Sequence, residues 1–319
     1  MRNIIVAVFG VIGLFLFASA AMAPADLVQT VDAHYGAVNA IDLTDDGAML
    51  YSGGKDGRIK LWDVNTLELV QTVPACQVAV NDLVISPDMN FMVTAGDDGF
   101  VKVWDALTVE LLIALPAHEG GAKTLAVHPE GYYIYTGGDD GWIRCYNVEE
   151  GYALEWEAYA HYNGVNDLIL TQGGDYLFSA GVDGMVKVYD ALMGSLESEI
   201  KAYEGAEALC LQLNNLEACL YTGGTNGEIR VWDASTGSLV RKIRAHAGNV
   251  NYITFLPDDS LAVSGGEDGK IKLWNHDGEK AGEMQAHVLA VRDFLVDDES
   301  DMMFTGGADY KVRVWDTNF

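Results

Sequence analysis

The sequence predicts an all-β protein built from seven copies of one repeat. A twelve-residue pattern that first occupies residues 52–63 (SGGKDGRIKLWD) starts again at Thr94, Thr136, Ser179, Thr222, Ser264 and Thr305. Most copies contain an Asp-Gly pair that precedes alternating apolar and polar residues, which is a strong signal for a β-hairpin. No useful helical period appears after residue 23. We therefore expect short strands joined by tight turns throughout the repeats.

The spacing of the repeats identifies the family that this pattern resembles. Each copy ends in an aromatic residue, at positions 62, 104, 146, 189, 232, 274 and 315, so successive copies lie 41, 42 or 43 residues apart. A period of this length with a Trp-Asp ending resembles the WD-repeat (WD-40) family. The resemblance covers residues 26–319 and implies a seven-bladed β-propeller, in which each repeat is one four-stranded blade.

The resemblance also implies a structural tetrad in each blade. In this family a His, a Ser or Thr, an Asp and the Trp of each repeat form one hydrogen-bonded network. Blades 1, 6 and 7 match it with His34, Ser52, Asp56 and Trp62, with His246, Ser264, Asp268 and Trp274, and with His287, Thr305, Asp309 and Trp315. Blades 3 and 4 carry a tyrosine for the tryptophan, as His118, Thr136, Asp140 and Tyr146 and as His161, Ser179, Asp183 and Tyr189.

Two blades depart further from the tetrad pattern. Blade 2 has Cys76 in place of the histidine, beside Thr94, Asp98 and Trp104. Blade 5 has Tyr203 and Asn226 in place of the histidine and the aspartate. Buried polar groups need hydrogen-bond partners, so we expect blades 2 and 5 to be locked less firmly. In blade 5 we expect Tyr203 to act through packing.

The N-terminal repeat fragment predicts how the ring closes. Residues 26–34 (DLVQTVDAH) resemble residues 68–76 (ELVQTVPAC), which hold the outermost strand of blade 1. Blade 7, in contrast, is followed by no outermost strand of its own. We therefore expect the N-terminal strand to complete blade 7 and remove the exposed edge of its sheet.

Residues 1–23 have the features of a signal peptide. Arg2 precedes an apolar run over residues 4–17, and small residues suited to cleavage occupy residues 18–23. We expect cleavage near Ala20 or Ala21, export to a bacterial periplasm or envelope, and a propeller over residues 24–319. The alternative is an uncleaved anchor, because residues 4–23 are just long enough to span a bilayer. Only this alternative implies contact with a membrane.

The charge of the chain limits its partners. It carries 19 basic and 47 acidic residues, for a net charge of −28. Binding to nucleic acid needs clustered Lys and Arg, so we expect no nucleic-acid partner. An acidic shell would steer a cationic partner toward the protein, although it is also what a simple solvated surface has.

The four cysteines, Cys76, Cys145, Cys210 and Cys219, show no metal or haem spacing. A chain of this size does not need a disulfide framework. Cys210 and Cys219 fall on paired strands of blade 5, but in diagonal positions that suit a disulfide poorly. Whether any disulfide forms is left open.

The sequence favours a binding module over an enzyme. It contains no nucleophile elbow, phosphate loop or zinc-protease motif, and five of its seven histidines occupy tetrad positions. We therefore predict no catalytic residue, no metal site and no cofactor, and a scaffold that binds another protein or peptide. The alternative is a propeller enzyme or small-molecule binder that uses the central channel.

Three basic residues are candidates for a rim site. In the family, the residue before the tetrad Asp faces the mouth of the ring, and this residue is Lys55 in blade 1. A second rim position on the innermost strands holds Lys123 and Arg292. In so acidic a chain they could bind a carboxylate, although solvated side chains are the alternative.

Comparison of equivalent positions predicts a partner patch on blades 2 to 4. The residue after the Asp-Gly turn is charged in four blades, but it is Phe100, Trp142 and Met185 in these three. In the middle of the outermost strand, the two large apolar residues are Ile113 and Trp156, also in blades 2 and 3. A contiguous apolar patch usually marks an interface. The alternative is that loops or neighbouring blades cover these side chains.

Overall fold

A computed structural model describes residues 25–297 and 300–317. In these residues the chain forms 28 strands in seven antiparallel four-stranded sheets. The innermost strand of each sheet contacts the innermost strands of the sheets on both sides, and the last contacts the first, so the sheets form a closed ring. The predicted seven-bladed β-propeller is confirmed. Over the same residues, no helix has the length and apolar character needed to cross a membrane.

The strands follow the order of the repeats. Strand β1 is Asp26–Asp32. Blade 1 contains β2 (Val38–Leu43), β3 (Met49–Gly54), β4 (Arg58–Asp63) and β5 (Leu69–Pro74). Blade 2 contains β6 (Val80–Ile85), β7 (Phe91–Gly96), β8 (Phe100–Asp105) and β9 (Leu111–Pro116). Blade 3 contains β10 (Ala122–Val127), β11 (Tyr133–Gly138), β12 (Trp142–Asn147) and β13 (Ala153–Tyr159). Blade 4 contains β14 (Val165–Leu170), β15 (Tyr176–Gly181), β16 (Met185–Asp190) and β17 (Leu196–Lys201).

The remaining blades continue this order. Blade 5 contains β18 (Ala208–Leu213), β19 (Cys219–Gly224), β20 (Glu228–Asp233) and β21 (Leu239–Arg244). Blade 6 contains β22 (Val250–Phe255), β23 (Ala262–Gly266), β24 (Lys270–Trp274) and β25 (Lys280–Gln285). Blade 7 contains β26 (Val291–Asp297), β27 (Met302–Gly307), β28 (Lys311–Asp316) and β1.

The burial of each strand follows its position in the blade. Every residue of β7, a second strand, is buried, because the neighbouring blades cover both faces of the sheet. The third strand β8 buries Val101 and Val103 but leaves Lys102 between them partly exposed. The outermost strand β5 exposes both Leu69 and Val70. The alternation of apolar and polar residues along the third strand therefore reflects its position between the core and the solvent.

Hydrophobic cores lie between adjacent blades. Tyr51 of blade 1 belongs to the same buried cluster as Met92 of blade 2. Phe304 of blade 7 shares a cluster with Trp62 of blade 1, so the first and last blades are joined in the same way. Burial of one large apolar side chain stabilises a fold by about 1.5–3 kcal/mol. Each blade depends on its two neighbours for this stabilisation.

Strand β1 closes the ring as predicted. It pairs antiparallel with β28, and Thr30 lies opposite Arg313 in their register. Lys311 Nζ forms an ion pair with the carboxylate of Asp32 at the end of this pairing. The outer edge of β28 is thereby covered. The predicted signal peptide or anchor at residues 1–23 lies outside the described residues and stays a prediction.

All four cysteines are free thiols. Cys210 lies opposite Gly223 in the pairing of β18 with β19, whereas Cys219 is the first residue of β19. The two cysteines therefore lie several residue pairs apart along these paired strands, which is too far for a disulfide.

Candidate functional site

Blade 1 contains a complete tetrad. His34 Nδ1 lies 2.8 Å from Asp56 Oδ1, and His34 Nε2 lies 2.9 Å from Ser52 Oγ. The indole N–H of Trp62 donates to Ser52 Oγ over 2.9 Å. Blades 6 and 7 repeat these bonds at 2.7 to 3.0 Å. The residues are His246, Asp268, Ser264 and Trp274 in blade 6 and His287, Asp309, Thr305 and Trp315 in blade 7.

These hydrogen bonds fit a neutral histidine. An indole N–H only donates, so the Ser52 hydroxyl accepts from Trp62 and keeps its own O–H group available for His34 Nε2. A neutral imidazole with its proton on Nδ1 would accept from Ser52 and donate to Asp56. Burial lowers the pKa of four tetrad imidazoles, although the neighbouring carboxylate of each opposes this effect. They are His34, His118, His246 and His287. These buried histidines hold the blades together and leave no free nitrogen for catalysis.

The tetrad aspartate also binds the backbone of the loops around it. Asp56 Oδ2 accepts from the N–H of Tyr35 over 3.0 Å, and Asp56 Oδ1 accepts from the N–H of Arg58 over 3.2 Å. Burial acts to raise the pKa of Asp56, but these bonds and His34 outweigh it, so the pKa is lowered. The ionised carboxylate therefore fixes the two loops on this end of the ring, which we call the tetrad face.

Blades 3 and 4 keep the tetrad without the indole bond. His118 Nδ1 lies 2.9 Å from Asp140 Oδ1, and His118 Nε2 lies 2.9 Å from Thr136 Oγ1. The corresponding distances from His161 are 2.9 Å to Asp183 and 2.8 Å to Ser179. Their tyrosines, Tyr146 and Tyr189, are buried in the cores between blades.

Blade 2 lacks the link between its hydroxyl and its carboxylate. Trp104 donates to Thr94 Oγ1 over 3.0 Å, but Cys76 provides no second bond to Thr94. The carboxylate of Asp98 instead pairs with Lys102 Nζ at 3.0 Å. Lys102 also donates to the carbonyl oxygen of Ala75, the residue before the substituted position.

Blade 5 differs from our expectation that it would be loosely locked. The hydroxyl of Tyr203 lies 3.1 Å from Thr222 Oγ1 and 3.0 Å from the carbonyl oxygen of Glu228. Trp232 donates to the same Thr222 hydroxyl over 3.1 Å. The longer phenol reaches the threonine directly, so no aspartate is needed, and Asn226 caps the N–H of Glu228 instead. Tyr203 therefore acts through hydrogen bonds as well as packing.

The second glycine of each Gly-Gly pair makes room for the tetrad histidine. A Cβ atom on Gly54 would lie 2.4 Å from His34 Nδ1, and one on Gly138 would lie 2.4 Å from His118 Cγ. Real Cβ atoms do not approach other atoms so closely. The paired glycines therefore make space for the tetrad histidines. This need explains why they recur, and no phosphate-binding role has to be invoked.

Asparagines of the innermost strands bridge adjacent blades around the channel. The side-chain amide of Asn39 donates to the carbonyl oxygen of Val80 over 2.8 Å. Three further asparagines make the equivalent bond at 2.7 to 2.9 Å. They are Asn81, Asn166 and Asn251. Their recurrence along the sequence therefore has a structural cause.

Carboxylates make a second set of bridges deeper in the channel. Asp82 accepts from the N–H of Leu83 over 2.8 Å and from the N–H of Leu125 in the next blade over 2.7 Å. Burial raises the pKa of Asp82 to about 6 and that of Asp167 to about 7. Sequence reasoning missed these groups, because aspartates that bridge blades look like any other polar residue on a strand.

The channel mouth brings two of the three predicted basic residues together. Lys123 and Arg292 line a cavity of about 290 Å³ with the four bridging asparagines. Lys123 Nζ lies 3.2 Å from Asp97 and 3.4 Å from Asp139, which neutralise it. Arg292 is exposed and, among the described residues, has no ion pair. Lys55 lies apart from the mouth, exposed on the turn between β3 and β4.

The predicted patch of blades 2 to 4 lies along the rim of the tetrad face. Phe100, Trp142 and Met185 are the first residues of the third strands β8, β12 and β16. Phe100 is exposed at 37 %, whereas Trp142 and Met185 are half-buried. Trp142 packs edge-on against Tyr159, with 5.7 Å between ring centroids. The three side chains occupy equivalent places on consecutive blades.

The two predicted flanking residues have a different role. Ile113 and Trp156 are partly buried and pack against the cores between blades 2 and 3 and between blades 3 and 4. Trp156 also donates its indole N–H to the carbonyl oxygen of Ala191 over 3.0 Å. These residues do not form an exposed edge, because each fills the space beside the next blade. This corrects the expectation for Ile113 and Trp156.

Sequence reasoning missed an apolar group on the tetrad face at the junction of blades 7 and 1. Tyr35, Val288 and Leu289 are exposed there on the loops before the innermost strands. Tyr310 is exposed on the turn between β27 and β28. Two comparisons of equivalent positions could have found them. Tyr310 replaces the glycine of the other six turns, and Tyr35 and Val288 follow tetrad histidines.

A comparison with family models agrees with the repeats. The model described as "WD domain, G-beta repeat" matches residues 25–63, 67–105, 109–147, 155–190, 237–275 and 278–316. The matched segments cover most of the chain, and the stretch between 190 and 237 that they omit contains Tyr203 and Asn226. No curated protein matches the chain significantly. In the described part of the chain, no group of His, Cys, Asp and Glu is arranged to hold a metal ion.

Proposed function

Because this chain belongs to the WD-repeat family, whose propellers typically bind other proteins or peptides, we propose that it is a non-enzymatic scaffold in an exported, envelope-associated complex. The observation that carries this proposal is the apolar rim formed by Phe100, Trp142 and Met185. Aromatic side chains are frequent anchors of protein interfaces. The rim lies on three adjacent blades, so one partner can contact all three.

The polar groups of the ring support binding rather than catalysis. The tetrad imidazoles have both nitrogens engaged in blades 1, 3, 4, 6 and 7. The asparagines and Asp82 at the channel hold adjacent blades together. A general acid or base needs a proton site that can reach a substrate. These groups are committed to bonds within the protein.

Export is the second part of the proposal. The sequence of residues 1–23, which has the features of a signal peptide, supports a periplasmic or envelope location, and the net charge of −28 supports a partner with a cationic face. N-terminal sequencing of protein recovered from the periplasmic fraction tests export. The proposal expects a mature chain that begins near residue 21 or 22. Recovery of full-length chain in the cytoplasm alone would refute this part of it.

The rim is tested by pull-down from an envelope extract. The double variant Phe100→Lys/Trp142→Lys should lose the partner while its melting curve stays near that of the parent. The control variant Tyr132→Lys/Tyr176→Lys changes two comparably exposed aromatics on the other face of the ring and should retain the partner. Because Trp142 is half-buried, Phe100→Glu alone provides a milder test. Unchanged capture by both rim variants would contradict the proposed site.

A further inference from the structure

The turn between β16 and β17 departs from the equivalent turns of other blades. In blades 1, 2 and 5, a threonine of this turn donates its hydroxyl to the aspartate that ends the third strand, over 2.9 to 3.1 Å. These residues are Thr66, Thr108 and Thr236. Blade 4 has Met193 at this position, and its side chain is 76 % exposed. The chain gives up a hydrogen bond here for an exposed apolar side chain, and such a departure without local gain points to a function.

The outermost strands beside this turn depart from the repeat as well. Every outermost strand contains a β-bulge, at which one residue has no partner on the third strand. The bulged residue is aliphatic in five blades, as Val28, Val70, Leu112, Val240 and Ala281. It is Glu155 in blade 3 and Glu197 in blade 4, and both are exposed. The two carboxylates therefore lie on neighbouring blades, where the rest of the ring has aliphatic side chains.

Contacts place the turn against the outermost strand of blade 3. Trp156, the residue after Glu155, bonds through its indole N–H to the carbonyl oxygen of Ala191 in the turn. A Cβ on Gly194 of the same turn would lie 2.6 Å from the ring of Trp156, so the backbone packs directly on the indole. Glu155 is held beside this contact, because its carboxylate accepts from the side-chain amide of Asn147 over 3.3 Å. The turn therefore lies next to Glu155.

Glu197 lies on the other side of the turn. Its carboxylate accepts from the hydroxyl of Ser195, the last residue of the turn, over 3.1 Å. Between the two glutamates the turn exposes Leu192 by 49 % and Met193 by 76 %. We call Glu155, Leu192, Met193 and Glu197 the turn site. It follows the last residue of a third strand, so it lies at the end of the ring opposite to the tetrad face.

The turn site keeps its negative charge. Within the described ranges, neither Glu155 nor Glu197 forms an ion pair. Arg144, on the third strand of blade 3, is engaged by Asp140 and Glu157. Carboxylates on both sides of exposed apolar side chains match a ligand that has cations on both sides of an apolar stripe. An amphipathic helix with lysines or arginines beside its apolar stripe has this pattern.

We propose that the turn site binds an amphipathic helix with a basic polar face. The apolar stripe of the helix would pack on Leu192 and Met193, and its cations would pair with Glu155 and Glu197. Methionine suits such a surface, because its flexible thioether adapts to different apolar partners. A second copy of this chain and an anionic membrane are disfavoured as occupants, because the chain carries a net charge of −28. The turn site goes beyond the rim of blades 2 to 4, which lies at the other end of the third strands.

The test uses fluorescence anisotropy with three fluorescein-labelled peptides of about 18 residues, long enough to form a helix. The first has leucines on one face and lysines along both sides of that face. The second has the same composition in a shuffled order without an apolar face, and the third has glutamates in place of the lysines. The proposal expects binding of the first peptide, weaker binding of the second and none of the third. Glu155→Gln/Glu197→Gln and Met193→Thr should each weaken binding of the first peptide about tenfold.

Matched variants separate the turn site from a general attraction to an acidic protein. Glu68→Gln/Glu110→Gln makes the same change of charge beside the outermost strands of blades 1 and 2. Leu107→Ser removes an exposed leucine from the equivalent turn of blade 2. Neither change should alter the affinity for the first peptide. An equal loss of affinity in the two glutamine double variants would overturn the proposal.

Met193→Thr separates binding from folding. This variant restores the residue of three other blades, so it should melt at the same temperature as the parent or higher while its peptide binding weakens. Equal affinity of the parent and Met193→Thr would overturn the proposal, as would preference for the glutamate peptide. Phe100→Lys should leave peptide binding unchanged. Loss of binding in that variant would place the helix on the rim and also overturn the turn site, whereas failure of the rim pull-down leaves this assay unaffected.

Discussion

The indole N–H of Trp156 donates to the carbonyl oxygen of Ala191 over 3.0 Å. A tyrosine hydroxyl makes the equivalent hydrogen bond elsewhere in the ring. In blade 1 the hydroxyl of Tyr51 donates to the carbonyl oxygen of Ala106, which occupies the same place in blade 2 as Ala191 in blade 4. Tyr135 is the equivalent of Tyr51 in blade 3. Its buried hydroxyl bonds to no nitrogen or oxygen and has only the sulfur of Cys145, a weak acceptor, beside it. The tryptophan has taken the acceptor that this tyrosine would otherwise use.

This relationship predicts opposite results for two similar substitutions. Tyr51→Phe removes a buried hydrogen bond and should lower the free energy of unfolding by about 0.5–1.5 kcal/mol. Tyr135→Phe removes a buried hydroxyl that makes no such bond, so it should be neutral or stabilising. Urea unfolding of the two variants measures the difference. A loss for Tyr135→Phe as large as that for Tyr51→Phe would show that the Tyr135 hydroxyl gains as much from Cys145 as Tyr51 gains from its carbonyl acceptor.

His246→Ala should destabilise blade 6. Ser264 and Asp268 would each lose a partner that now lies 2.8 Å away. Leaving buried polar groups unsatisfied should lower the free energy of unfolding by roughly 1–3 kcal/mol. His276→Ala, at an exposed turn outside the tetrads, provides the control in thermal melts. If the two variants melt alike, the tetrad contributes little to this blade.

Tyr203→Phe tests the substitute network of blade 5. The phenyl ring keeps the packing of the parent, but the bonds near Thr222 and Glu228 are lost, so the variant should be about 1 kcal/mol less stable. Tyr203→Ala should cost several kcal/mol more, because a buried ring is also removed. Comparing both variants by urea unfolding separates the two contributions. Parent-like stability of Tyr203→Phe would mean that packing alone locks this blade.

The channel carboxylates should make stability depend on pH. Burial raises the pKa of Asp82 to about 6, so its contribution to stability is present below its unfolded pKa of about 3.9 and is lost as the pH rises through 6. Asp82 keeps some contact with solvent, which moderates the effect. Asp82→Asn should therefore remove part of the change in unfolding free energy between pH 8 and pH 5, by up to about 1 kcal/mol.

Two controls isolate this contribution of Asp82. The buried histidines His34, His118, His246 and His287 act in the opposite direction, because their lowered pKa makes stability fall as the pH drops below 6.5. They are present in both proteins, so the difference between the parent and Asp82→Asn cancels them. Asp175→Asn, at an exposed position, should leave the pH dependence unchanged. Identical pH dependence in the parent and Asp82→Asn would contradict the prediction.

Removal of residues 1–32 should expose the edge of blade 7. The deletion removes β1 and leaves β28 without its outer neighbour, so the protein should melt at a lower temperature and aggregate. Removal of residues 1–23 alone should leave the melting curve of the ring unchanged. Light scattering and thermal melts of the two deletions test closure. A soluble and equally stable 1–32 deletion would show that β1 is dispensable.

The repeats allowed the ring to be predicted, because the Trp or Tyr, the Asp-Gly turn and the strand pattern recur with one period. Closure followed from a single local similarity between residues 26–34 and 68–76. The roles of residues that depart from the repeat pattern were harder to predict, because these roles depend on contacts with a neighbouring blade. The sequence predicted an exposed Trp156, but its indole N–H bonds to Ala191 of the next blade. The sequence predicted a packing role for Tyr203, but its hydroxyl also bonds to Thr222. Periodicity predicts what the repeats share, whereas their differences depend on contacts between blades.

The pairing of β1 with β28 imposes an order on biosynthesis. A ribosome makes β1 before any blade and β28 after all the others, so the first strand waits without its partner while almost the whole ring is translated. Contacts between residues so distant in sequence form slowly. During this interval the strand has an unpaired edge, which invites association with other nascent chains.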